Sequence, residues 1–124
     1  MVKDLTEHDL GQFIGTEQWC KVGIVPSITY TDGVKYMAEH GGAYWLIDEI
    51  ALANRFDKKV MREPFQVWVL KVTGNSAVLT CDDGGKNDRA SRVVMRKTIE
   101  FTDFPLPEIK LYFTDNVILL PSEY

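Results

Sequence analysis

The chain has 124 residues, 45% of them apolar and 26% charged, with a net charge of −4. That length fits one domain, residues 1–124, with a core that needs no disulfide or metal support. The charge argues against strong sequence-independent binding to DNA, and no apolar run reaches the roughly 20 residues needed to cross a bilayer; no membrane contact and a cytoplasmic location are expected.

Residues 5–15 carry the parts of a short capped helix. Thr6 can accept from the backbone N–H of Asp9, and Leu10, Phe13 and Ile14 form one stripe. Residues 16–28 lean towards strand through Trp19, Val22, Ile24 and Val25, but Pro26 interrupts them, so an irregular arm or short edge strand is expected. Thr31 offers an N-cap to a second helix that runs to Gly41 and Gly42. Residues 43–53 (AYWLIDEIALA) form a third, with Leu46, Ile50 and Ala53 at the centre of its apolar face. Trp45 and Leu52 lie on one flank, so apolar character wraps most of the way round, as in a helix covered on more than one side.

The charges of residues 54–63 mark a solvated connector, ended by Pro64. Residues 65–72 (FQVWVLKV) read as a central strand, apolar on both faces and covered on both for part of its length. Gly74 and Asn75 lie in a hairpin loop of three or four residues, and residues 77–81 return antiparallel. Residues 82–91 (DDGGKNDRAS) read as an exposed, mobile loop. Residues 92–101 alternate, with Val93, Met95, Ile99 and Phe101 inward and Arg92, Arg96, Thr98 and Glu100 outward. Lys97 breaks the inward set, and the length allows pairing on both sides. Residues 109–114, a turn at Asp115 and Asn116, and residues 117–120 make a closing hairpin. The expected fold is α+β: about three N-terminal helices packed on a C-terminal antiparallel sheet of four or five strands.

Catalytic motifs are absent. The Asp-rich loop has neither EF-hand nor phosphate-loop spacing, and nothing in the pattern ties His8 to His40. No catalytic residue, metal ligand or cofactor is assigned. Cys20 and Cys81 fit no metal or CxxC spacing and read as reduced thiols. Two groups invite a function. Glu49, between Leu46 and Trp45, is a candidate acid of perturbed pKa if it is held among apolar side chains; the plainer alternative is an ion pair with a cation of the sheet. Arg89, Arg92, Arg96 and Lys97 form a basic group that, with Tyr112 on a neighbouring strand, would make a mixed patch for an acidic protein surface or for phosphate. The plainer alternative is a solvated sheet face. Tyr112, Glu123 and Tyr124 are further candidate contacts with a partner.

Three blocks carry a resemblance: TYTDGVKYMAEHGGAYWLIDEIA at residues 29–51, FQVWVLKV at 65–72 and IEFTDFPLPEIKLYFTDNVILLPSEY at 99–124. They resemble an uncharacterised family of short bacterial and phage-associated proteins. The resemblance implies a compact domain often encoded on mobile elements, and brings no activity or catalytic residue. The expected function is non-enzymatic: an interaction protein, an accessory or anti-defence inhibitor acting on a host macromolecular complex. The alternatives are a small-molecule-binding or enzymatic domain with a pocket around Glu49, and a homodimeric structural module.

Overall fold

A computed structural model describes residues 5–15, 18–85 and 90–124. One seven-stranded sheet runs through it in the order β1-β2-β7-β6-β3-β4-β5. The strands are β1 (Trp19–Val22), β2 (Val25–Thr31), β3 (Phe65–Thr73), β4 (Ser76–Asp82), β5 (Val93–Ile99), β6 (Glu108–Thr114) and β7 (Val117–Leu119). The helices are α1 (Glu7–Gly11), α2 (Asp32–Gly41), α3 (Tyr44–Phe56) and α4 (Lys58–Met61), and a 3-10 turn, Pro121–Glu123, follows the last strand.

The expected α+β class holds, but the sheet is larger and is mixed. The segment read as an irregular arm is a hairpin, β1 against β2, whose register slips between Lys21 and Val22. Pro26 is exposed in the irregular part of that edge pair, where a missing N–H costs no ladder bond. The hairpin joins the main sheet through β7, which pairs parallel to β2, Thr29 with Val117 and Tyr30 with Ile118, and antiparallel to β6.

Local signals set the helix ends. Thr6 and Asp9 exchange side-chain and backbone bonds of 3.1 and 3.2 Å in a capping box. Thr31 Oγ1 accepts from Val34 N at 3.2 Å to start α2. Gly42, at φ 63°, turns the chain out of α2, and its own N–H and that of Ala43 both reach Ala38 O. The connector read from charge contains α4 instead, because Asp57 accepts from Lys59 N and Val60 N and Val60 is fully buried. One inward apolar residue and one cap suffice for a single turn packed on α3.

Alternation along the strands divides the sheet into two faces. Gln66, Trp68, Leu70, Ala77, Leu79, Cys81, Ile109, Leu111, Phe113 and Ile118 are buried with Leu46, Ile47, Ile50 and Ala51 of α3. Beneath the helix, Gln66 ties the layers together. Its Nε2 donates to Asn54 Oδ1 (2.7 Å), Val60 O (2.8 Å) and Glu63 O (3.0 Å), and its Oε1 accepts from Asn54 Nδ2 (3.0 Å) and Trp68 Nε1 (2.9 Å). On the opposite face Val67, Val69, Val78, Thr80 and Tyr112 are half-buried, and Lys71, Arg96, Thr98, Glu108 and Lys110 are exposed.

Several finer expectations change. The turn after β3 is a two-residue one, Gly74 and Asn75 between paired Thr73 and Ser76, with Gly74 at φ 62°. Among the described residues β5 pairs with β4 alone and forms an edge of the sheet; Val93 and Phe101, expected inward, are exposed, Phe101 lying beyond the end of the strand. A register slip opposite Cys81 and Asp82 moves Val93 off the inward row. Leu52 is exposed as well, because the sheet covers α3 from one side only.

Candidate functional site

The residues singled out from the sequence fall on different surfaces. Arg96 lies opposite Thr80, on the uncovered face, whereas Lys97 lies opposite the buried Leu79 and so faces the helices. There its Nζ meets Glu49 Oε1 of α3 at 2.6 Å, with side-chain exposures of 50% for Lys97 and 29% for Glu49. The ion pair weighed as the plainer alternative for Glu49 is the arrangement present. Tyr112 shares the uncovered face with Arg96 but stands on β6, with β3 and β4 between them, a separation of roughly 14 Å at the usual strand spacing. Arg92 is exposed just before β5 and Arg89 lies outside the described residues. The single mixed patch expected from the sequence is therefore divided.

The loop after β4 begins as a fixed structure. Asp83 is 3% exposed. Its Oδ1 accepts from Gly85 N and Arg92 N, each at 3.0 Å, and its N–H donates to Arg92 O. This carboxylate closes the base of the loop and sets the start of β5. The rest of the expected mobile segment, residues 86–89, lies outside the described residues.

A cluster of three aromatic rings occupies the face that no helix covers among the described residues, where Gly84 of the loop after β4 lies close to Phe65 and Val67. Phe65, Tyr112 and Tyr124 stand 5.1, 5.2 and 5.5 Å apart between ring centroids, the two tyrosines edge to face. Val67, Val69 and Val78 continue the apolar surface from the rings, and Lys71, Lys110, Glu108 and Arg96 rim it.

Tyr124 is held there by the residue before it. Glu123 accepts from Thr31 Oγ1 at 2.6 Å, from Leu120 N at 2.9 Å and from Gly33 N at 3.3 Å, in the first turn of α2. A Cβ on Gly33 would lie 2.8 Å from that carboxyl and would push it from this seat. Burial pushes the Glu123 carboxyl above its ordinary value; the bonds from Thr31, Leu120 and Gly33 pull the other way, and Asp32 adds to the rise. Glu123, named from the sequence as a partner contact, is thus an anchor for its neighbour.

On the helix side, Glu49, Leu52, Ala53, Phe56, Asp57, Lys58, Met95 and Lys97 line a cleft of about 640 Å³. Leu52 is 39% exposed and Phe56 71%. Sequence reasoning assigned Leu52 to a covered flank and did not single out Phe56. Phe65 was likewise missed as a surface residue, since a strand apolar on both faces gives no sign of which side stays open.

Cys81 is fully buried, and burial pushes its thiol up to about 12, so it stays protonated near neutrality. His40 stacks on Tyr36 with centroids 4.1 Å apart, and His8 contacts Gln12. Among the described residues, no three His, Cys, Asp or Glu side chains gather in a way that could hold a metal ion, and no helix is long and apolar enough to cross a membrane.

Among the described residues these features define an α+β protein whose helices cover one side of the sheet and whose aromatic cluster stands on the other. The chain belongs to DUF6876, a family of unknown function, matched over residues 4–124. No curated protein and no solved structure matches it.

Proposed function

We propose that the protein works without catalysis, by binding a protein partner through the uncovered face of its sheet. The observation that carries this reading is the Phe65, Tyr112 and Tyr124 cluster, two rings on adjacent strands and the third placed on them by the anchored Glu123, rimmed by charge. Binding energy at protein interfaces concentrates in such aromatic centres, with charged residues at the margin. Blocking a host macromolecular complex, as an accessory or anti-defence inhibitor would, is one form this binding takes.

The alternatives draw less support. A ligand pocket at Glu49 would need a carboxylate free to meet its ligand, and that group is engaged by Lys97. A nucleic-acid patch would need its cations together, and Arg96 and Lys97 face opposite sides of the sheet. A homodimer predicts a doubled mass in light scattering.

The test is capture from extracts of the native host, with and without phage infection, using the wild type and a Tyr112→Ala, Tyr124→Ala variant. A partner retained by the wild type and reduced at least tenfold by the variant, at unchanged circular dichroism, is the expected result. Equal capture by both proteins would overturn the assignment of the aromatic face.

A further inference from the structure

We propose that the β5 edge receives an acidic, extended segment of a partner protein, which adds to the sheet as an eighth strand. This rests on the reading of the chain as an interaction protein but uses a different surface from the aromatic face.

β5 stands at one end of the strand order, paired along its inner side with β4. In an antiparallel pair every second residue turns its N–H and C=O away from the neighbour. Among the described residues no strand meets those outward groups. Sheet edges are commonly protected by shortness, proline or a covering segment. The opposite edge, β1, has only four residues and an irregular register. β5 has seven residues and no proline, and its register slip falls near its start, leaving Met95–Ile99 in regular pairing.

Two features say what would lie there. The first is charge: the exposed Arg92 and Arg96 lie beside and in the strand, with no acidic residue from 91 to 99, in a chain of net charge −4; Lys97 is already held by Glu49, and Glu100 follows the strand. Pairing β5 with a second copy in a register that sets Arg96 beside its copy would place like charges on adjacent strands, which is destabilising. An acidic strand would meet them with opposite charge.

The second feature is the cleft beside the edge. Met95 faces the helix side, where Leu52, Ala53 and Phe56 add apolar surface to a cleft that Glu49, Asp57, Lys58 and Lys97 also line. The two faces of β5 thus ask for different side chains on an added strand. On the uncovered face acidic groups would meet Arg96, and on the helix side apolar groups would lie over Leu52, Phe56 and Met95. The fitting segment alternates acidic and apolar residues, with its backbone supplying the hydrogen bonds and alternate side chains the specificity.

The experiment selects binders from a displayed library of random twelve-residue peptides, using the whole protein as bait. Selected peptides are then measured by fluorescence anisotropy. The expected winners alternate acidic and apolar residues. Arg96→Glu and, separately, Phe56→Asp weaken them at least tenfold with unchanged melting, and N-methylating the amides along one peptide edge abolishes binding. Amides of residues 93–99 exchange more slowly with peptide bound.

The Tyr112→Ala, Tyr124→Ala variant is expected to bind these peptides as well as the wild type. Loss of partner capture and loss of peptide binding are therefore separable results. Selection that yields no binder, or only basic or uncharged ones, overturns the proposal. So does binding that survives both Arg96→Glu and N-methylation. A dimer in light scattering, with residues 93–99 protected in the absence of peptide, would give the edge to a second copy instead.

Discussion

Replacing Gln66 by leucine keeps a similar volume and removes a hub. The indole N–H of Trp68, itself 1% exposed, loses its acceptor, and the amide of Asn54 loses both bonds to Gln66. Each buried polar group left unpaired costs about 1–3 kcal/mol. Trp68 Nε1 takes that cost in full and the half-buried Asn54, whose Nδ2 keeps Ile50 O at 3.0 Å, only part of it, a gross loss of about 3–4 kcal/mol, of which burying an apolar side chain offsets about 1 kcal/mol. Val60 O keeps the N–H of Glu63 as a partner, so its share is small. The expected net loss is about 2–3 kcal/mol, or roughly 8–12 °C in Tm for a domain of this size. Urea unfolding followed by tryptophan fluorescence measures it. A Trp68→Phe partner mutation should recover part of the loss, since it removes the stranded donor. A loss under about 1 kcal/mol, or strict additivity of the two changes, would refute the account of Gln66 as the tie between sheet and helices.

Two further outcomes follow from titratable groups. The Glu123 carboxyl binds its proton more tightly in the folded chain than in the unfolded one, where its pKa is about 4.3. Its contribution to stability is therefore fully present below pH of about 4.3 and is lost as pH rises through the folded value. Wild type should lose stability relative to Glu123→Gln between pH 4 and 7 in parallel melts, and the opposite slope would mean that the bonds from Thr31, Leu120 and Gly33 outweigh burial. Cys81, with its thiol pushed up to about 12 and no exposed surface, should resist iodoacetamide at pH 8 in the native protein and react after unfolding, while the half-exposed Cys20 reacts in both states. Equal native labelling of the two cysteines, read by mass spectrometry, would contradict the burial.

The parts of the fold legible in the sequence are those set by short-range signals. Thr6 and Thr31 cap the helices expected of them. Asp115 and Asn116, at φ 52° and 61°, make the turn of the closing hairpin, since these residue types tolerate left-handed backbone. What the sequence hid depends on distant partners. Nothing within residues 16–28 says that Val117 and Ile118 will give β2 a parallel neighbour. Which side of β3 stays bare is decided by where α3 lands, so Phe65 and Val67 look the same in sequence as Gln66 and Trp68 look buried. The candidate site suffered for the same reason. Arg96 and Lys97 were grouped by proximity in the chain, yet adjacent residues of a strand point to opposite faces, and register alone sent Lys97 to Glu49.

The parallel seam between β2 and β7 has a consequence for how the chain comes together. It pairs residue 29 with residue 117, and β7 is also the only strand linking the β1–β2 hairpin to β6 among the described residues. The hairpin is made early in synthesis, and its place in the sheet does not exist until the last strand has emerged. Until then Val25 and Ile28, both buried at the end, have α2 and α3 beside them but β2 lacks its neighbour in the sheet. Contacts of such long sequence separation slow folding and prolong the exposure of unpaired strand edges. The step most open to misassembly is thus the final one, when three residues slide between two strands and join the two halves of the chain.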